Sequence, residues 1–476
     1  MGAWTSKKIF VFIVIILFNC ITTFPAINSS KIGNFIQLDN NNTNNENDIC
    51  DLLILSPSKF ISSLQSLVYH KDQHGVRTKL VSLDYVYNQI WYGRDDAEKI
   101  KYFIRDAIED SGIKYVLLVG GIKKQFSFYE DYWLPVRYVY LEDRWGSGKP
   151  YLNEKKFLSD LYFADIYDSK GNFSSWDTDG DGIYGEWFNN KSAEDILDLY
   201  PDVYVGRLPC ENNYEVKIMV KKIINYENNN SSEEEWFKRM MVVAGDTYPG
   251  DGYEGETETQ EALDKMPGFN PIKLWCSDGS FTGPKVVIKN LNNGCGFLYF
   301  EGHGTPSYWC TNSPYQNNSV LGLTTSNIPL LWNGKKLPVC VVGACHSSMF
   351  NVSLFHTTWN GKYPCLECFS WRLARKIGGG TIATIGNTAL GYGPKDKLDP
   401  SQGGGGGDIA TYFFEAYGIN NTDILGEAWG KAISSYLEEF PIKWNENSYN
   451  DTTIDAKTVE QWLLIGDPSL KIGGYS

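Results

Sequence analysis

Short β-rich apolar runs bounded by glycine recur along the chain and constrain its fold more than any other feature. One is Cys295-Gly296-Phe297-Leu298-Tyr299-Phe300, which empties into Glu301-Gly302-His303-Gly304. Another is Val339-Cys340-Val341-Val342-Gly343-Ala344, which empties into Cys345-His346-Ser347. Runs of this kind are the pattern of parallel strands buried on both faces, since a half-exposed strand would alternate polar and apolar residues. In an open α/β sheet, reactive groups gather at the carboxyl ends of such strands. Neighbouring strands delivering His303 and Cys345 to one rim would set a base beside a thiol nucleophile, the arrangement of a cysteine peptidase.

The same pattern organises the rest of the chain. Asp51-Leu52-Leu53-Ile54-Leu55 predicts a strand, residues 95–111 a helix stopped by Gly112, and Tyr115–Gly121 a second buried strand, together a βαβ unit. Val203–Leu208 predicts a later strand of this half, and the charged, Asn-rich stretch 227–235 reads as the seam between halves. A second α/β half starts at Met240–Asp246 and continues through the His and Cys strands. It closes with helices near 368–376, 409–417 and 423–438 and a strand at 380–386. The five glycines 403–407 must form a mobile or ligand-hugging loop. The expected division is therefore residues 48–230 and 231–476, as 476 residues is long for one core.

The ends of the chain and its charge bound the partners. Lys7 and Lys8 precede the apolar run 9–18, too short for a comfortable membrane span and typical of a secretory signal, here placed at residues 1–26. An Asn-rich linker, 27–47, follows. The protein is thus expected to be secreted or held in the cell envelope, touching a membrane only if that segment stays uncleaved. Met1-Gly2 with Ser6 also fits a myristoylation pattern, which the apolar run behind it makes the weaker reading. A net charge of −14 argues against a nucleic-acid partner. Glycosylation patterns begin at Asn172, Asn190, Asn229, Asn230, Asn317, Asn351, Asn420 and Asn450, and matter only in a host that modifies exported chains. Of ten cysteines, nine remain once Cys20 leaves with the signal; if the others pair, Cys345 is the natural free thiol. Cys365 and Cys368 read as a disulfide rather than half of a zinc site.

In the expected chemistry Cys345 attacks a peptide carbonyl, and His303 protonates the leaving amine and then activates water. Backbone N–H groups of Gly304 and Cys345 are the candidate oxyanion hole. Rival histidines lack the context: His74 follows a polar helix-like segment, His70 and His356 have no partner pattern, and His346 would point away from Cys345.

Gly302-His303-Gly304 and Gly343-Ala344-Cys345, each after its strand, resemble the catalytic signature of the gingipain-type cysteine peptidases of the caspase-like clan. The resemblance runs over about residues 48–472 and includes Leu118-Val119-Gly120-Gly121, Val205-Gly206-Arg207-Leu208, Gly380-Thr381-Ile382-Ala383 and Gly466-Asp467-Pro468-Ser469-Leu470. It implies a caspase-like three-layer α/β/α sandwich in two subdomains with a mostly parallel sheet. It also implies an acidic residue supporting the histidine, at Asp246 here, one methylene shorter than the family's glutamate; a plain strand-end carboxylate is the alternative. For a pocket accepting basic side chains it points to Glu256 or Glu258 and, on the wall, Tyr392, although that acidic stretch also reads as a solvated loop.

Asp177-Thr178-Asp179-Gly180-Asp181-Gly182-Ile183-Tyr184-Gly185-Glu186 is a second motif. Alternating aspartates aim carboxylate oxygens at one centre, as Ca²⁺ requires, with the Tyr184 carbonyl and Glu186 as further ligands. Phe188 takes the place of the usual bidentate glutamate, so the expectation is a structural calcium loop outside the EF-hand fold. No organic cofactor is expected. The combined expectation is an exported endopeptidase acting on proteins or peptides; cutting after basic residues stays open, since Leu390-Gly391-Tyr392-Gly393 replaces the family's aromatic pocket wall. The alternatives are a transpeptidase or sorting peptidase of the same fold and a calcium-stabilised, non-catalytic surface binding module.

Overall fold

The computed structural model describes residues 49–123, 130–143, 154–248, 252–314, 318–354, 365–393 and 404–476. The expected signal segment and linker, Asn317, His356 and Gly403 lie outside these residues. The chain from Asp48 onward forms one compact unit. Its first half supplies β1 (Leu52–Ser56), β2 (Thr78–Ser82), β3 (Tyr115–Val119), a small pair β4 (Tyr138–Tyr140) and β5 (Lys156–Leu158), and β6 (Tyr204–Leu208). The second half supplies β7 (Arg239–Ala244), β8 (Asn270–Trp275), β9 (Phe297–Glu301), β10 (His303–Thr305), β11 (Tyr308–Asn312), β12 (Ser319–Thr324), β13 (Val339–Gly343), β14 (Ala383–Asn387) and β15 (Trp462–Ile465).

Ten of these strands make one sheet in the order β2-β1-β3-β6-β15-β14-β13-β9-β7-β8. All neighbours are parallel except β14 and β15, which run antiparallel. The expected α/β sandwich with a mostly parallel sheet is therefore present, and its last strand, β15, lies between the strands of the two halves. The Cys and His strands are neighbours in register, with Gly343 opposite Glu301 and Val342 opposite Phe300.

Alternation of the side chains shows why these runs are apolar throughout. In β7, β9 and β13, Met240, Val242, Phe297, Tyr299, Val339 and Val341 enter one core. Met241, Val243, Leu298, Phe300, Cys340 and Val342 enter a second core on the opposite face. The helix Gly406–Gly418 covers the first face with Ile409, Phe413 and Phe414. The helices Pro284–Asn293 and Phe369–Ala374 cover the second with Val287, Leu291, Phe369 and Leu373. Each fully buried side chain of this size contributes about 1.5–3 kcal/mol, so neither face tolerates a polar residue. Among the described residues, no helix is long and apolar enough to cross a membrane.

The predicted helix at 95–111 is Asp96–Ser111: the Asp95 carboxylate accepts the Glu98 N–H, and Gly112 ends it at φ +67°. The stretch expected as the seam begins inside the core. Glu227 ends the helix Asn213–Glu227 fully buried, 2.8 Å from Lys71 and 2.9 Å from His70. Lys71 also meets Asp467 of the closing Gly-Asp-Pro-Ser-Leu motif at 2.8 Å. The Val-Gly-Arg-Leu motif likewise proves structural: buried Arg207 grips Asp160 with two hydrogen bonds of 2.6 and 2.7 Å. The cysteine expectation is also corrected. All nine described cysteines are free thiols, so Cys345 is not the odd one left by pairing, and Cys365 and Cys368 are two buried thiols beside the helix Phe369–Ala374.

Candidate active site

The two strand ends are held together by glycines. Gly302, at φ +150°, turns the chain out of β9 and donates its N–H to the Gly343 carbonyl at 3.1 Å. His303 then opens β10, an edge strand of the small antiparallel sheet β10-β11-β12. Gly304 passes so close to the Cys345 turn that a Cβ there would sit 2.8 Å from the Ala344 Cβ and 2.8 Å from the Cys345 carbonyl oxygen. His303 and Cys345 line one cavity of about 120 Å³ together with Tyr248, Glu254, Glu258, Glu301, Asn387 and Tyr392.

The imidazole Nε2 of His303 lies 2.8 Å from the carbonyl oxygen of Thr247. A carbonyl only accepts, so Nε2 carries the proton and Nδ1 of the neutral ring keeps the lone pair. Thr247 directly follows Asp246, whose backbone is bridged to Asn312 by hydrogen bonds of 2.9 and 3.2 Å. The Asp246 side chain is fully buried, and Asp246 does not line the cavity. One Glu254 carboxylate oxygen holds the same loop by accepting the N–H groups of Thr247 (3.2 Å) and Tyr248 (3.3 Å).

Cys345 Sγ accepts the Gly391 N–H at 3.3 Å. Burial pushes its thiol up to about 11, against the pull of that N–H and with help from the nearby Glu154 charge. Such a thiol is almost wholly protonated at neutral pH, so it needs a base at the moment of attack.

Glu256 and Glu258 separate cleanly. They are two positions apart on the helix Glu254–Asp264, hence about 200° around its axis. Glu258 faces the cavity against Gly407. Glu256 instead accepts the N–H (2.8 Å) and hydroxyl of Ser277 and lines a separate groove beside Trp275 and Cys276. Tyr392 lines the cavity and donates its hydroxyl to Asp143 at 3.2 Å.

In the acidic loop, the Asp177, Asp179 and Asp181 carboxylates lie within 4.8 Å of one another, a group able to hold a metal ion. Glu186 is pushed up to about 7 by burial and by the charges of Glu194, Asp181, Asp179 and Asp195, so a cation would relieve a real excess of negative charge. Asp177 is already engaged by Arg94 at 2.6 Å and by the N–H groups of Gly180 and Gly182. The Tyr184 carbonyl accepts the Tyr140 N–H at 3.0 Å as part of the fold.

Three contributors escaped the sequence reading. Glu301 ends β9 and lines the cavity, with one carboxylate oxygen accepting the Tyr299 hydroxyl at 2.6 Å; its position just before Gly302 was the available signal. The Thr247 carbonyl is backbone and leaves no trace in residue type. Glu154 comes from the first half, bonded to His346 at 3.0 Å and to the Leu390 N–H at 2.7 Å, with nothing local to mark it.

Residues 45–473 match peptidase family C25. Gingipain R2 of Porphyromonas gingivalis is 22% identical over 430 residues, covering 88% of this chain and 46% of the relative. Lys-gingipain of the same organism is 22% identical over 321 residues, covering 62% of this chain and 17% of the relative. The chain thus spans less than half the length of these curated relatives. The crystal structure of the Arg-specific cysteine proteinase gingipain R superposes with a TM-score of 0.58 at 19% identity, over 90% of this chain and 79% of that one. It shares the fold.

Proposed function

Since the chain belongs to peptidase family C25, we propose that it is a cysteine endopeptidase whose nucleophile is Cys345 and whose general base and acid is His303. The observation that carries this reading is the meeting of both side chains in one cavity of about 120 Å³, with His303 fixed in the tautomer that leaves Nδ1 basic.

The resting thiol is neutral, so attack and proton transfer to Nδ1 go together. The sulfur adds to the peptide carbonyl, and the developing oxyanion is met by the N–H groups of Gly304 and Cys345. His303 then hands its proton to the departing amine, leaving an acyl group on sulfur. A water molecule, deprotonated by the same Nδ1, releases the acid. As the imidazolium forms, Nε2–H keeps its bond to Thr247, and Asp246 acts by anchoring the strand end that presents this carbonyl. Glu254, Glu258 and Glu301 concentrate negative charge around the cavity, which favours a cationic side chain beside the cut bond, in keeping with the relatives' Arg- and Lys-directed names. The aspartates 177, 179 and 181 with Glu186 would hold Ca²⁺, which supplies charge neutralisation that pins the loop of the first half. The basic, apolar N-terminal pattern favours export.

The test is a peptide library incubated with the wild-type protein and with Cys345→Ala. Cleavage after Arg or Lys that vanishes in the variant supports the reading; equal cleavage by both proteins sinks it.

A further inference from the structure

The turn that carries the nucleophile is held from outside its own half of the chain. Cys345 lies at the carboxyl end of β13, and the segment that touches its sulfur, Leu390-Gly391, follows β14. The two segments meet through the His346 N–H to the Ala389 carbonyl at 2.9 Å and the Ser348 N–H to the Asn387 carbonyl at 2.7 Å. Between them sits the Glu154 carboxylate. Its Oε1 lies 3.0 Å from His346 Nε2 and its Oε2 accepts the Leu390 N–H at 2.7 Å. His346 is 1% exposed and Glu154 7%, so the pair is shut away from water.

We propose that Glu154 is a positioning residue for the nucleophile: one oxygen fixes the residue after Cys345, the other fixes the residue before Gly391, and the Gly391 N–H is thereby held on the sulfur. This rests on the assignment of Cys345 as nucleophile. The backbone at His346 shows why a clamp is needed. Its φ is +56°, a left-handed conformation uncommon for a non-glycine residue, though histidine adopts it more readily than most, and partners on both sides stabilise it. The hydrogen bond to Glu154 and the Ala389 contact hold it here, turning the chain sharply so that Cys345 faces the cavity while His346 faces inward. The carboxyl of Glu154 stays below the ordinary glutamate range: burial works most strongly against its ionisation, and His346, Lys457 and the Leu390 N–H together outweigh it. Lys457, on the helix Asp451–Gln461, adds positive charge to the same surroundings and also favours the ionised thiol.

A clamp and a mere neighbouring charge make opposite predictions for the thiol. Removing a negative charge near Cys345 should lower the pKa of the thiol. Loosening the Gly391 N–H should raise it, and that N–H is the stronger of the two influences on Cys345. The experiment measures iodoacetamide alkylation of Cys345 against pH by peptide-mapping mass spectrometry, in the wild type and in Glu154→Ala, with peptide-cleavage kinetics in parallel. The proposal expects an upward shift of about one pH unit in the alkylation profile, a tenfold loss at fixed pH, with kcat falling more than KM rises. An unchanged or downward-shifted profile overturns it. Should Glu154→Ala fail to fold, His346→Asn removes the imidazole while keeping a residue that tolerates the left-handed backbone; the same upward shift is expected, and a wild-type profile again overturns the clamp. A wild type that alkylates normally but cleaves no peptide would defeat the peptidase reading, while the shift between wild type and variant would still decide the clamp.

Discussion

Gly304→Ala is a one-methyl perturbation of the distance between base and nucleophile. The backbone of Gly304 is not in the left-handed region, so alanine meets no conformational penalty of its own. The obstacle is space. Its Cβ would lie 2.8 Å from the Ala344 Cβ and from the Cys345 carbonyl oxygen, where ordinary contact starts at 3.4 Å. Neither atom is the end of a flexible side chain, so the His and Cys segments must part by about 0.6 Å. Relief of such overpacking costs about 1–3 kcal/mol of stability, which a chain of this size registers as a drop in Tm of roughly 1–3 °C. The effect on rate should be larger, because a displacement near 1 Å costs on the order of 10²-fold in a reaction that depends on alignment. We expect kcat to fall by roughly 10- to 100-fold with KM nearly constant. Steady-state cleavage of an Arg-containing peptide, paired with thermal unfolding, measures both quantities. A variant with wild-type kcat would refute the inference that this glycine sets the approach of His303 to Cys345.

Glu258→Gln should reduce kcat/KM for substrates with Arg or Lys before the cut by about 10-fold or more, while Glu256→Gln leaves it unchanged; equal effects from both would remove the charge assignment in the pocket. Ca²⁺ should raise the Tm of the wild type and not that of Asp179→Asn/Asp181→Asn, read by calorimetry with and without chelator; a Tm indifferent to calcium in both rejects the ion. Lys101 is fully buried, has no hydrogen-bond partner for its Nζ, and is lowered by burial to about 7 from 10.5. The unfolded chain therefore binds one more proton than the folded one between those values, and stability should rise as pH climbs through that window. In Lys101→Met that contribution disappears, which denaturant unfolding at pH 7 and pH 9.5 would reveal; an identical pH slope in the variant contradicts it.

The parts of this fold that could be read in the sequence are those whose signal is local. Residues 297–300 and 339–342 are apolar at every position because alternate side chains enter two different cores, and that pattern survives in the text of the chain. The helix Asp96–Ser111 announces itself through its Asp95 cap and Gly112 stop. What escaped depends on partners far away. Glu227 stands in a charged, Asn-rich stretch that reads as a seam, yet it is buried because Lys71 and His70, more than 150 positions earlier, meet it. The placement of β15 beside β6 rests on a single pair, Ile465 with Arg207, which no local pattern marks. Within the site, the strand ends carrying His303 and Cys345 were legible, and the choice between Glu256 and Glu258 became plain once both lay on one helix. The hydrogen bond from His303 to the Thr247 carbonyl could not be read, since every residue has a carbonyl.

The central claim is that Cys345 becomes acylated. Rapid acid quenching of the wild-type protein during turnover of an ester or peptide substrate, followed by peptide mapping, should find the acyl group on Cys345 and none on the other cysteines. In His303→Ala the adduct should form far more slowly. Cleavage that proceeds with the acyl group on another residue, or with Cys345 replaced by alanine, would contradict the account.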